Sequence, residues 1–214
     1  MKTLLLNGVL SVCFLALAGT SIAHQGEDHS DKDVTTLETN SSSTSFNPFP
    51  VELGGSFNLI DHNGVARSEQ DFPGKYLLVF FGYANCKSMC TVGLRRMGEA
   101  VDALGDAGKT IQPVMITVDP ANDTPEVMKQ ALPEIHPDLL GLTGSADALA
   151  RAYNAYKIKP GRVGPDPEGD MVINHTSYVY LMSPQGEFLT LIPPIIGGKR
   201  MSEIIANYMT TKLS

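Results

Sequence analysis

The chain has 214 residues, 43% hydrophobic and 18% charged. That composition suits one globular domain with a core large enough to fold without metals or cross-links. A formal net charge of −7 and a pI of about 5.1 speak against nucleic-acid binding, which calls for a basic face.

Residues 1–23 read as an export signal or a membrane anchor. Lys2 supplies the positive end, Val9 to Ala18 the apolar stretch and Ser21-Ile22-Ala23 a small-residue cleavage site. As an anchor, Leu4 to Ala23 reaches the ~20 residues needed to span a bilayer, but Asn7 and the small residues near its end weaken it, and cleavage after Ala23 is the preferred expectation. Cys13 would leave with the signal; Val12 before it argues against a lipoprotein cysteine. Either way the folded part is expected to be exported, periplasmic or anchored facing the periplasm, where disulfides persist. Residues 24–49 are rich in Ser, Thr, Asp and Glu, carry five acids against Lys32, and show no apolar periodicity. They read as a disordered acidic tether. If His24 becomes the N-terminus, its amine and imidazole with His29 form a possible copper chelate; two solvated histidines are the simpler reading.

The folded domain is expected over 50–214. Ser56 to Ile60 alternates like a strand, and Asp61-His62-Asn63-Gly64 is a hairpin turn, which makes His62 a surface turn residue. Tyr76-Leu-Leu-Val-Phe-Phe81 reads as a buried strand. Leu94, Met97, Val101 and Leu104 then recur at helical spacing, predicting a helix from about Thr91 to Ala107. A second buried strand spans 113–118, followed by a loop with Asp119 and Asp123, read as loop and cap residues. Thr124 caps a short helix with Pro125 at its first position. His136 is read as structural. A short strand at 139–142, a helix capped by Ser145, a Gly/Pro-rich loop at 161–170, strands at 178–182 and 188–192, and a last helix at about 201–212 complete the order. This is α/β: a mixed sheet sandwiched by helices, with an extra N-terminal β-hairpin, in a thioredoxin-like arrangement.

Cys86 and Cys90 fall where the first buried strand hands over to its helix. Residues four apart on a helical turn lie roughly 5–6 Å apart, close enough to close a disulfide or to grip one soft metal ion. A helix N-terminus and the neighbouring Lys87 both favour thiolate. Two inert core cysteines are the bland alternative. Met89 between them is a weak candidate donor that more often simply packs. His175, 85 residues after Cys90, is the histidine to weigh: two thiolates leave a metal under-coordinated, and a Cys2His set suits trigonal Cu(I) and can rearrange to take Cu(II).

The segments Gly54-Gly-Ser-Phe57, Gly74 to Tyr83, Cys86-x-x-x-Cys90, Ile116-Thr-Val-Asp-Pro120 with Asp123-Thr-Pro125, Leu142-Thr-Gly144 and His175-Thr-Ser-x-x-Tyr-Leu181 together resemble the Sco/SenC family, over about Pro50 to Leu213. The resemblance implies a thioredoxin-like domain that binds copper through Cys86, Cys90 and His175. It also implies a partner: the copper-site subunit of cytochrome c oxidase, served by copper delivery or by reduction of its cysteines. Lys87 and Ser88 depart from the family's usual Pro-acid pair, and Thr91 from its second Pro. Three functions follow in order: an exported copper metallochaperone, a thiol–disulfide oxidoreductase using Cys86 and Cys90 as a redox pair, and a thiol peroxidase. The last lacks the Pro and Thr expected seven and three residues before its cysteine.

Overall fold

The computed structural model describes residues 52–84, 86, 89–165, 167, 171–175 and 178–211. The expected signal (1–23) and tether (24–49) lie outside these residues, as do Cys13, His24 and His29. Among the described residues no helix is long and apolar enough to cross a membrane.

The chain opens with the expected hairpin, β1 (Asn58–Asp61) and β2 (Ala66–Ser68). Its turn needs a left-handed residue, and Gly64 supplies it with φ of 80°. Then follow β3 (Tyr76–Gly82), α1 (Met89–Ala103), β4 (Ile111–Thr117), α2 (Pro125–Ala131), β5 (Leu140–Thr143) and α3 (Ala146–Ala155). The order closes with β6 (Gly161–Pro165), β7 (Met171–Asn174), β8 (Val179–Met182), β9 (Phe188–Ile192) and α4 (Gly198–Thr211). Among the described residues, seven strands form one mixed sheet in the order β2-β1-β5-β4-β3-β8-β9. β3, β4 and β5 run parallel; β8 lies antiparallel against β3 and β9 against β8. The N-terminal hairpin extends the sheet by pairing β1 antiparallel to β5.

β3 is buried along almost its whole length, as its unbroken apolar run requires. Successive side chains point to opposite faces. Phe81 meets the rings of Tyr153 and Tyr156 from the α3 region, while Phe80 on the other face lies against Gly93 of α1. Helices therefore cover both faces. At Gly93 a Cβ would come within 3.0 Å of Pro194 and 3.2 Å of Phe80, so the approach of α1 depends on a missing side chain. Thr124 and Ser145 cap α2 and α3, accepting from the Val127 and Ala148 N–H groups.

α4 begins at Gly198 and β4 at Ile111, three and two residues ahead of the sequence reading, and two larger differences stand beside these. α1 stops at Ala103, four residues early, because Gly105 takes φ of 56° and residues 105–110 tighten into a 3-10 turn. The stretch read as a Gly/Pro-rich loop contains a second hairpin: β6 and β7 form their own two-stranded sheet, with a register shift between Arg162 and Gly164. Glycine and proline erase the alternation that would have signalled a strand, and Gly164 at φ of 145° absorbs the irregularity.

Candidate metal centre

β3 and β4 run in register with Gly82 opposite Thr117, so the loops leaving their C-terminal ends emerge side by side. Ligand sites in open α/β sheets gather at such ends. Cys86 lies in the loop after β3, and Cys90 is the second residue of α1. Their Cα atoms are 5.9 Å apart and their sulfurs are bonded as a disulfide. Both are almost fully buried, at 3% and 4% exposure. The Cys86 N–H donates to the Tyr83 carbonyl at 3.2 Å, and the Thr91 hydroxyl donates to the Cys86 carbonyl. Thr91 thus uses its side chain to close the turn that holds the two cysteines together.

His175 follows β7 directly and brings Nε2 to 3.1 Å from Cys90 Sγ. Its ring stands edge-on to Phe80 and Tyr83, with centroids 5.9 and 6.4 Å away. Half-buried between these walls, the imidazole is aimed at sulfur. The three residues singled out in the sequence therefore converge. With the sulfurs bonded to each other, the described residues hold no cluster of three His, Cys, Asp or Glu side chains poised for a metal ion. Reduction changes this, since it returns two soft donors beside an imidazole. That donor set fits copper, and Cu(I) best. Lys87, Ser88 and the side chain of Met89 lie outside the described residues.

Asp123 does more than shape a loop or cap a helix, which corrects the sequence reading, while Asp119 accepts from the Asn122 side chain within the loop. Asp123 is only 1% exposed. Both its oxygens accept from the Ala84 N–H, at 3.1 and 3.2 Å, and Oδ2 accepts from the Thr117 hydroxyl at 2.6 Å. The carboxyl ties β4 to the loop that carries Cys86. No local signal announces this bond, because its partners are 39 residues apart. Burial pushes the Asp123 carboxyl up to about 6, against the lowering effect of the Thr117 and Ala84 hydrogen bonds. The folded state therefore holds this proton more tightly than the unfolded chain. The stability it contributes is full below the unfolded carboxylate value and is lost as pH rises through about 6. The whole change is on the order of 3 kcal/mol. Denaturant titrations of wild type and Asp123→Asn between pH 4 and 7 should show that declining component in the wild type only.

The other histidines have structural work. His136 is buried, with Nε2 3.3 Å from Asp102 and Nδ1 accepting from the Asp138 N–H, in line with the sequence reading. His62 is not simply a surface turn residue. Its Nδ1 accepts from the Gly141 N–H at 3.1 Å and its own N–H donates to the Gly141 carbonyl, which stitches β1 to β5. Burial lowers its imidazole pKa.

Comparison with known proteins identifies the family and the fold. The family model described as SCO1/SenC matches residues 47–210. Protein sco1 of Schizosaccharomyces pombe is 32% identical over 165 residues, covering 75% of this chain and 62% of its own length. Mitochondrial SCO1 of Saccharomyces cerevisiae is 38% identical over 141 residues, covering 64% of this chain and 47% of its own length. The chain thus spans only about half to three-fifths of these relatives. Among solved structures, Bradyrhizobium japonicum ScoI with copper bound superposes with a TM-score of 0.66 at 32% identity, over 73% of this chain and 99% of that one. Yeast Sco1 with copper bound gives 0.67 at 34% identity, over 75% and 90%. With the fold and a match over most of its length in agreement, this chain belongs to the SCO1/SenC family.

Proposed function

We propose that the protein is an exported copper metallochaperone that carries copper on Cys86, Cys90 and His175 and serves assembly of the copper centre of cytochrome c oxidase. The observation that carries this reading is the 3.1 Å approach of His175 to Cys90, across 85 residues of sequence, onto a sulfur already paired with Cys86. Copper is here the cargo. Loading begins with reduction: the disulfide takes two electrons and two protons from an external thiol reductant and becomes a dithiol. Two thiolates and a neutral imidazole then hold Cu(I) in a complex of net charge −1. The copper-bound relatives from Bradyrhizobium japonicum, Arabidopsis thaliana and yeast support copper as the cargo. Residues 1–23 act as the export signal or anchor, and 24–49 as the tether through which the domain reaches its partner.

The disulfide itself favours a second reading, a thiol–disulfide oxidoreductase that reduces a cysteine pair of a copper-site partner. One experiment separates the two. Anaerobic titration of the reduced chain should give one Cu(I) per molecule, held about 10-fold or more weakly once His175 is replaced by alanine, as loss of even an outer-sphere partner costs ~10–100-fold. A His175→Ala chain that binds copper as tightly as wild type and still reduces a partner's disulfide would overturn the three-donor site and leave the redox reading standing.

A further inference from the structure

The third donor reaches the cysteines on a hairpin that belongs to neither layer of the main sheet, and something must set its distance. Arg162 of β6 sits directly opposite Ile173 of β7. Directly opposed residues of an antiparallel pair project to the same face, and alternation returns that face at His175, two residues after Ile173. Ile173 is buried and His175 points at Cys90, so the face shared by these three side chains is the one turned toward the domain. On it, Arg162 Nη2 lies 3.5 Å from Asp119 Oδ1.

Asp119 is firmly held for this purpose. It stands just beyond β4, whose last residue pairs with the last residue of β3. Val118 before it donates to the Gly82 carbonyl at 2.8 Å. Its N–H donates to the Thr117 hydroxyl, and its Oδ2 accepts from the Asn122 side chain at 2.7 Å, which leaves Oδ1 for the guanidinium. The carboxylate is 7% exposed while Arg162 is 59% exposed. A fixed, buried anion thus meets a cation borne on the hairpin, on the side where the cysteine loop emerges.

We propose that Arg162 is a positioning residue for His175: by pairing with Asp119 it clamps the β6–β7 hairpin to the end of β4 and so sets the imidazole against Cys90. The inference concerns the copper-binding reading above, and its consequence for copper rests on that reading. Its consequence for the imidazole does not. An ion pair with one exposed partner is weak alone, but here it acts on a metal ligand from the outer sphere, where small displacements are felt strongly.

The test uses the full chain with Arg162→Met, which keeps the apolar stem without the charge, and Arg162→Lys, which keeps the charge. In the copper-free chain, the ring-proton shifts of His175, displaced by Phe80 and Tyr83, should move toward those of an unstructured histidine in the Met variant and return in part with Lys. Cu(I) affinity of the reduced Met variant should fall by about 3- to 10-fold. In a His175→Ala background the same change should leave affinity unaltered, because Arg162 acts through the ring. Wild-type ring shifts in the Met variant would overturn the clamp, as would an equal copper loss with or without His175. If His175→Ala itself leaves copper affinity untouched, the copper reading fails while the ring shifts still decide the clamp.

Discussion

A reduced chain with Cys90 replaced by serine is expected to hold Cu(I) at least about 100-fold more weakly than wild type, beyond the upper end of what an outer-sphere change costs. Cys90 occupies the middle of the constellation. It is bonded to Cys86 on one side and lies 3.1 Å from the His175 ring on the other. Its loss leaves a lone thiolate and an imidazole with no sulfur between them, and a hydroxyl is a poor donor for a soft ion. The variant also cannot form the Cys86–Cys90 disulfide, so one change removes both proposed activities. Competition against a chromophoric Cu(I) chelator under anaerobic conditions measures the first effect, and mass spectrometry after alkylation the second. Retention of copper within 10-fold of wild type would mean that the ion is held elsewhere.

Phe80→Ala should be the most damaging single change to the fold near the site. Phe80 is fully buried in β3, packs against Gly93 of α1 and stands edge-on to His175. Truncating a buried phenylalanine costs ~3–5 kcal/mol, through lost apolar contact and the cavity left behind. Here the cavity would open between α1 and the sheet, beside the imidazole. Chemical denaturation should show that loss with an unchanged dependence on denaturant. A loss below about 1 kcal/mol would mean that neighbouring side chains collapse into the space.

The central strands were plain in the sequence because each carries a short, largely apolar run, and the helix caps at Thr124 and Ser145 were plain because capping chemistry is local. Cys86 and Cys90 were legible for a similar reason: four residues at a strand-to-helix junction fix their own distance. His175 was legible as a donor that the pair lacked, but its approach depends on β6 and β7, which the glycines and prolines around them concealed. Asp123, Arg162 and Phe80 could not be read as parts of the site. Each acts across a long gap in sequence, on a backbone N–H, a hairpin or a ring, and only the folded chain brings those partners within reach.

The cysteines stand only four positions apart. Chain entropy rewards a cross-link by the length of the segment it ties off, and for so small a ring the gain is about 2 kcal/mol, less than half of what a 100-residue loop returns. Folding therefore favours the joined sulfurs by less than half of what a long-range cross-link would gain. The thiol couples the protein meets then weigh heavily in whether they are joined or free, and on the proposed function one scaffold serves both for carrying cargo and for carrying electrons.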